Sequence, residues 1–151
     1  MLQRRPALAP LAAALAILVG LALGACAGVE APFVEVTPLS DTRDPLGPYT
    51  VRAVATDDRE IASVRLYHRS DAVADAAVVT LEATGEGIYE GTLPGYPPGT
   101  LVHYFVEAID TDGNAAYDPP TARDGDAGCV ETSAEPAAEQ DGASYCFRVL
   151  R

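Results

Sequence analysis

The segment Leu101-Val-His-Tyr-Phe-Val-Glu-Ala-Ile109 is the strongest indication of the fold class of this chain. It is the longest strand-like run in the sequence, and it is rich in the β-branched and aromatic residues that strands favour. It ends at Asp110-Thr-Asp-Gly-Asn114, a sequence typical of a hairpin turn because Gly113 and Asn114 tolerate a positive φ. We therefore predict an antiparallel return strand that starts at Ala115.

Alternation of apolar and polar residues with a period of two extends outward from this run, and the 3.6-residue period of an amphipathic helix is not convincing in any segment after Phe33. Pro38 ends the first alternating segment and places it at a sheet edge. About seven short strands separated by turn signals predict an all-β, antiparallel β-sandwich. The other predicted strands are Phe33–Thr37, Tyr49–Thr56, Ile61–Arg69, Ala77–Glu82, Ile88–Leu93 and Ser144–Leu150.

Residues 1–25 have the composition of an export signal, with Arg4 and Arg5 followed by an apolar run that ends in small residues. Leu23-Gly-Ala-Cys26 resembles the bacterial lipobox, in which a peptidase cuts before a Cys that carries a diacylglyceryl group. The resemblance implies that Cys26 is lipidated and that its acyl chains anchor the mature protein to a membrane. An ordinary cleaved signal and a retained transmembrane helix are the alternatives.

These features divide the chain into a signal peptide at 1–25, the lipidated Cys with a flexible tether at 26–32, and one sandwich domain at 33–150. Within the domain, residues 119–142 are polar and acidic and are interpreted as an inserted loop. The expected location is the cell envelope. Ala27 is not the Asp that retains enteric lipoproteins at the inner membrane, so the outer membrane is favoured, with the domain in the periplasm or on the surface.

The formal net charge of the chain is −12, and all ten basic residues are Arg. Removal of residues 1–25 takes away Arg4 and Arg5 and changes the formal charge to −14. Nucleic-acid binding needs clustered basic residues, so this composition argues against a nucleic-acid partner. An acidic, solvated surface outside the cytoplasm is the simpler interpretation.

Lipidation of Cys26 leaves Cys129 and Cys146 as a pair in an exported protein, where disulfides form and persist. A disulfide between them closes a loop of about 17 residues and contributes about 3 kcal/mol in the chain-entropy picture. Two free thiols or a metal pair are the alternatives, although no His or second Cys-x-x-Cys lies near them in the sequence. We expect the disulfide, which would pin the acidic loop to the sheet edge.

Acidic residues near two predicted turns are candidate calcium ligands, because Ca²⁺ takes carboxylate and carbonyl oxygens. The spacing begins like an Asp-x-Asp-x-Asn loop, but Gly113 is misplaced for an EF-hand and no Glu closes twelve residues. An ordinary hairpin turn is the alternative, and Asp124 and Asp126 form a second, similar pair. No cofactor is expected beyond this possible calcium. The five candidates are Asp57, Asp58, Asp110, Asp112 and Asn114.

Two histidines on neighbouring predicted strands raise the question of a zinc site. The alternation places His103 away from the core and His68 on the same face as Val64 and Leu66, so the two imidazoles are predicted on opposite faces. Neither histidine nor any serine lies in a nucleophile context such as Gly-x-Ser-x-Gly. We therefore do not expect an enzyme.

Aromatic residues offer a candidate platform for a sugar or a peptide, with ordinary cross-strand packing as the alternative. The chain contains no Trp, which disfavours a carbohydrate platform. Tyr104 is instead expected in the core, as the corner tyrosine of a sandwich. The platform candidates are Tyr67, Tyr96, Phe105 and Tyr117.

The segments that carry a wider resemblance are Gly47–Val51, Asp57–Asp58, Ile61–Tyr67, Tyr89, Tyr104–Ala108, Asp110–Asn114 and Ser144–Val149. Together they resemble the immunoglobulin-like and fibronectin type III-like modules of bacterial exported proteins, over about Pro32 to Leu150. The resemblance implies an immunoglobulin-like sandwich and a non-catalytic module that spaces, adheres or binds. The chain departs from antibody-type domains because it lacks their Trp, and the predicted disulfide is not their inter-sheet bridge.

The lipobox and the module together predict a membrane-anchored cell-envelope lipoprotein with a protein-interaction or adhesion role. Its expected partners are the lipid bilayer, through acylated Cys26, and another envelope or surface protein. A calcium- or carbohydrate-binding envelope module is the alternative function.

Overall fold

The computed structural model describes residues 30–120, 122, 128–129 and 143–151. The predicted signal peptide and Cys26 therefore lie outside the described residues, as do Asp124 and Asp126. The described part of the chain is all-β, with ten strands in two sheets. The strands are β1 (Phe33–Thr37), β2 (Tyr49–Thr56), β3 (Ile61–Ser70), β4 (Val73–Thr80), β5 (Glu82–Gly85), β6 (Ile88–Leu93), β7 (Leu101–Asp110), β8 (Ala115–Asp118), β9 (Gly128–Cys129) and β10 (Ala143–Arg148).

The first sheet has four strands in the order β1-β2-β6-β5, and all its pairs are antiparallel. The second has six strands, with β4-β3-β7-β10-β9 in order and β8 beside β7. One edge of β7 pairs with β3, while its other edge is shared between β10 and β8. The long run that predicts the fold class is thus the most enclosed strand, and most of its residues on both faces are buried.

The core lies between the inner faces of the two sheets. Alternate residues of β2 are buried and exposed, as a half-solvated antiparallel strand requires. Tyr104, Phe147, Leu66 and Leu93 are the largest side chains that are completely buried. The period of two in the sequence therefore reports correctly which face of each strand is apolar.

The turn after β7 agrees with its sequence. Gly113 has a φ of 89°, and its backbone N–H donates to the carbonyl oxygen of Asp110 at 3.3 Å. From Asp110 to Asn114, Gly113 alone has a positive φ, and Asn114 does not. The return strand β8 starts at Ala115, as predicted.

Two expectations about strands need correction. The predicted strand Ala77–Glu82 is not continuous, because β4 ends at Thr80 and Leu81 carries the chain across the core to β5 in the other sheet. The predicted acidic loop 119–142 contains the short strand β9, which pairs in parallel with β10. The eight predicted segments, the return strand at Ala115 included, thus become ten strands, because one segment divides and the disulfide region adds another.

Tyr104 is buried, as predicted, but it is not a corner tyrosine. A corner tyrosine bonds to backbone a few residues upstream. The Tyr104 hydroxyl instead accepts a hydrogen bond from the backbone N–H of Leu39 at 2.7 Å, 65 residues away in sequence. Burial raises the pKa of Tyr104 to about 12. This side chain thus ties the segment after β1 to the central strand of the other sheet.

No helix among the residues that the structure describes is long and apolar enough to cross a membrane.

Candidate functional site

The outer edge of β4 is the main candidate site. The backbone N–H of Leu81 donates to the carbonyl oxygen of Val64 at 2.9 Å, and β4 continues this register along β3. Hydrogen-bonded pairs alternate along an antiparallel ladder. The backbone groups of Val79 consequently face β3, whereas those of Val78 and Thr80 face away from the sheet. Within the described parts of the chain, no strand pairs with this outer edge.

The side chains of β4 are unusually apolar for an exposed edge. Val73 is 56 % exposed and Val78 is 52 % exposed, and the strand contains neither Pro nor Gly. Asp75 is its one charged residue. Natural sheets protect long edge strands with Lys, Pro, bulges or a covering segment, because an open edge pairs readily with another chain. β4 spans eight residues, and its only irregularity is a bulge at residues 68–70 of its partner β3.

The exposed charges of β4 and of the turns beside it are acidic, whereas the bases Arg65 and Arg69 lie on the neighbouring strand β3. The sequence contains no Lys or Arg between Arg69 and Arg123. β5, the edge strand of the first sheet that follows β4, is four residues long and fully exposed. We call β4 and β5 the open side of the sandwich. The exposed acidic residues of the open side and its turns are Asp71, Asp75, Glu82 and Glu86.

On the opposite side of the sandwich, formed by β1, β8, β9 and β10, carboxylates cap backbone donors of β1 and β10, and we call it the closed side. The backbone N–H of Val36 in β1 donates to Asp118 Oδ2 at 2.6 Å. The backbone N–H of Arg148 in β10 donates to Asp41 Oδ1 at 2.7 Å. A parallel bridge also links Thr42 to Val149. Carboxylates thus occupy backbone donors that would otherwise be available to another chain.

Asp118 is the most buried of these capping groups, with 9 % of its surface exposed. The Tyr145 hydroxyl lies 3.0 Å from each of its carboxylate oxygens. Burial raises the pKa of Asp118, although the hydrogen bonds from Val36 and Tyr145 oppose this effect. A buried, hydrogen-bonded carboxylate at a sheet edge is costly to disturb, so it closes this edge firmly.

Three of the four aromatic platform candidates meet on the outer face of the second sheet. Tyr67 lies opposite Phe105 in the ladder, and the two rings stack with centroids 4.7 Å apart. Tyr67 and Tyr117 donate to the two carboxylate oxygens of Glu107 at 2.9 and 3.0 Å. Burial, and then the bond to Glu107, raises the pKa of Tyr67. These rings pack on one another, as the cross-strand alternative predicts.

The fourth aromatic candidate, Tyr96, lies elsewhere. It stacks on Tyr49 with ring centroids 6.2 Å apart and packs against Phe147 of the core. Its hydroxyl lies 2.8 Å from His68 Nδ1. The structure therefore separates Tyr96 from the outer-face group.

The calcium candidates lie at two loops at one end of the sandwich. Both carboxylate oxygens of Asp110 accept hydrogen bonds from Asn114, at 2.8 Å from its backbone N–H and 2.7 Å from its amide. The pKa of Asp110 is lowered overall. Burial acts to raise it, but the hydrogen bonds from Asn114 and from neighbouring backbone N–H groups outweigh the effect of burial. Asp112 pairs with Arg59 at 3.3 Å. Asp110 and Asn114 are therefore hydrogen-bonded to each other within the turn, and Asp112 is paired with a base outside it.

The other calcium candidates follow β2. Asp57 Oδ1 accepts from the backbone N–H of Asp58 at 2.7 Å, and its Oδ2 is buried without a hydrogen-bond partner among the described residues. Desolvation raises the pKa of Asp57. In the described ranges, no three of the four aspartates among the candidates bring carboxylate oxygens within 4.8 Å of one another. The structure therefore does not gather these aspartates around one point.

The two histidines lie on opposite faces of the second sheet, as their alternation predicts. His68 lies opposite Tyr104 in the ladder and shares its inward face, whereas His103 lies opposite Arg69 and Cys146 on the outer face. Burial lowers the pKa of His68. Burial, and then the charge of Arg69, lowers the pKa of His103.

Cys129 and Cys146 form a disulfide, as the cysteine count predicts. The bond joins β9 to β10 at the closed side. No His lies near these cysteines in the sequence, but the fold brings His103 Nδ1 to 3.2 Å from Cys146 Sγ. Ser144 Oγ also lies 3.3 Å from the same nitrogen.

Sequence reasoning missed the capping carboxylates and the histidine beside the disulfide. Asp118 is the last residue of β8 and directly precedes a Pro, and a polar residue before a Pro is typical of an ordinary turn. A scan against protein-family models and a search of curated proteins each found no match to this chain.

Proposed function

We propose that this chain is a lipoprotein tethered to a cell-envelope membrane through Cys26, and that its sandwich is a non-catalytic module that binds another envelope protein. The observation that carries the binding role is the open, apolar outer edge of β4. The lipobox resemblance of Leu23–Cys26 carries the anchor. The outer membrane is the favoured location.

The strand order supports an immunoglobulin-like or fibronectin type III-like module. Constant-type immunoglobulin sandwiches place strands A, B, E and D in one sheet and C, F and G in the other. The order β1-β2-β6-β5 corresponds to the first set, and β3-β7-β10 corresponds to the second. In this comparison β4 is an additional strand beside C, and β8 and β9 belong to an insertion between F and G.

The tether sets the height of the module above the membrane. Seven residue steps separate Cys26 from the start of β1 at Phe33, and an extended chain spans at most about 25 Å over that length. A short tether of this kind keeps the module near the bilayer, where its partner is another protein of the same envelope.

The partner that best fits the open side is an extended segment with basic side chains. Pairing of such a segment along β4 would satisfy the outward backbone groups of Val78 and Thr80, and backbone hydrogen bonds supply the affinity in this mode of recognition. Charge then selects the partner, because exposed acidic residues lie on and beside β4. The nearest bases, Arg65 and Arg69, lie on the neighbouring strand β3, where Arg65 pairs with Glu107. A second copy of this chain would instead bring two acidic edges together.

The anchor is tested by expressing the full chain in a bacterium supplied with labelled palmitate. We expect the label and the membrane fractionation to be lost in Cys26→Ser. Cys146→Ser is the matched control, because it removes a cysteine but leaves the lipobox intact. Retention of label by Cys26→Ser would refute the lipoprotein assignment.

The binding edge is tested by placing a photo-crosslinking residue at Val73 in the full chain, in cells of the source bacterium. We expect one defined adduct, which Val78→Pro abolishes because it removes an outward N–H and blocks strand addition. Val78→Thr keeps that N–H and should preserve the adduct. An adduct that survives Val78→Pro would show that the partner does not pair with β4.

A further inference from the structure

The disulfide and His103 form a cluster that the binding role does not use. The imidazole nitrogen of His103 and the two sulfur atoms lie within 4.8 Å of one another. Three strands supply the residues, since β7 carries His103, β9 carries Cys129 and β10 carries Cys146. Two sulfurs and one imidazole nitrogen are the donor set of many zinc sites.

We propose that, when the disulfide is reduced, His103, Cys129 and Cys146 form a three-ligand site for a thiophilic divalent cation, with Zn²⁺ as the reference ion. Thiolate and imidazole ligands suit zinc, whereas carboxylate oxygens suit calcium and magnesium. Three protein ligands leave a fourth tetrahedral position open, on the solvent side of exposed Cys129. This site is independent of the proposed binding edge, which lies at the opposite edge of the same sheet.

The distances need little adjustment. Zinc–sulfur and zinc–nitrogen bonds in a tetrahedral site place the two ligand atoms about 3.6 Å apart. His103 Nδ1 already lies 3.2 Å from Cys146 Sγ. The main movement is therefore separation of the two sulfur atoms, to about 3.8 Å for two thiolates on one zinc ion.

The surrounding structure holds the histidine in place. His103 is 9 % exposed, so its ring has little freedom to turn away. Ser144 Oγ, which also lies within hydrogen-bond distance of the Gly128 carbonyl oxygen, is next to the same ring nitrogen. In the disulfide-bonded structure, β9 pairs with β10 and places Cys129 opposite Ser144. A metal ion would replace the disulfide as the link between these two strands.

The chemistry balances with a dithiol as reductant. The dithiol supplies two electrons and two protons, the disulfide becomes two thiols, and the reductant becomes a disulfide itself. Binding of one Zn²⁺ to both sulfurs as thiolates then releases two protons.

Cobalt titration of the reduced protein tests the site. The full chain is reduced with a water-soluble phosphine under anaerobic conditions and titrated with Co²⁺. We expect saturation at one equivalent, with a thiolate-to-cobalt charge-transfer band and the visible bands of tetrahedral cobalt. One equivalent of Zn²⁺ should remove both signals, and the oxidised protein should show neither. Absence of the charge-transfer band in the reduced protein would overturn the proposal.

Substitution of the histidines separates this site from simple dithiol binding. His103→Ala should weaken cobalt affinity by about tenfold or more and alter the visible bands, since one ligand is lost. His68→Ala is the matched control, because that imidazole lies on the opposite face of the sheet, and it should titrate like the parent. Identical titrations for His103→Ala and the parent would show that His103 is not a ligand.

Circular dichroism of the reduced protein guards against unfolding. We expect the β-sheet spectrum to persist, because the core lies between the sheets and the disulfide lies outside it. Loss of that spectrum on reduction, without recovery on addition of cobalt, would also overturn the proposal.

Discussion

The closed and open sides of this sandwich differ in whether the outward backbone groups of their edge strands are hydrogen-bonded. On the closed side, the outward N–H of Val36 in edge strand β1 donates to the carboxylate of Asp118 at 2.6 Å. On the open side, the outward backbone of edge strand β4 meets no strand among the described residues. Unpaired strand edges invite association with other chains, and proteins normally block them.

The two edges differ in what protects their backbone groups. Closing β1 requires burial of a carboxylate, which is unfavourable unless hydrogen bonds compensate for the lost solvation. The chain provides that compensation at β1 through Val36 and Tyr145. It places the exposed apolar side chains of Val73 and Val78 at β4 instead. A module that binds by strand pairing at β4, as we propose, needs its other edge strands protected from pairing with further chains.

The first test removes the carboxylate cap of the closed side. Asp118→Ala removes the acceptor for the Val36 N–H and for the Tyr145 hydroxyl. A buried donor without its partner costs about 1–3 kcal/mol, and Tyr145 is only half-buried, so we expect a loss of about 2 kcal/mol in the free energy of unfolding. Urea unfolding measures this value. The uncapped β1 edge should also cause self-association at high concentration in sedimentation experiments.

Asp118→Asn is the matched control for that change. Its amide oxygen still accepts from Val36, so the loss should be well below that of the Ala variant. Equal losses for the two variants would mean that packing, rather than the hydrogen bond to Val36, holds this edge.

The period of two in the sequence predicts most of the scaffold correctly. It assigns β1 and β2 with their observed bounds, and Pro38 correctly marks β1 as an edge. The alternation also predicts the opposite faces of the two histidines. These properties are local, because a strand's face and ends depend on its own residues and on the turns beside them.

The caps and the cluster depend on long-range register, which a local pattern does not contain. Asp118 lies 82 residues from Val36, and His103 lies 43 residues from Cys146. Each pair meets only after several strands have taken their order in the sheets. The sequence also does not predict that the chain changes sheets at Leu81, for a related reason. A continuous apolar run reads as one strand whether it stays in one sheet or changes sheets.

The second test follows the stability of the closed side as a function of pH. Burial raises the pKa of Asp118 above its ordinary value of 3.8, so the folded protein favours the protonated form more than the unfolded chain does. The resulting stabilisation is fully present below pH 3.8 and is lost as the pH rises through the folded pKa. The parent should therefore gain stability relative to Asp118→Asn as the pH falls from 7 towards 4. Urea unfolding of both proteins at several pH values measures the difference, and a difference that shrinks on acidification would contradict the assignment.

The smallest expected effect comes from the open side. Val78→Pro removes an N–H that faces away from β3, and proline is tolerated at edge strands in that orientation. We expect a loss of about 1 kcal/mol or less in the free energy of unfolding. Val79→Pro is the contrasting variant, because the N–H of Val79 faces β3 and its loss breaks the ladder, so it should cost about 3 kcal/mol. Thermal and urea unfolding of the two proteins give the comparison. If Val78→Pro were the more damaging variant, the outward N–H groups of β4 would be those of the odd-numbered residues, and the edge that we propose for binding would have the opposite register.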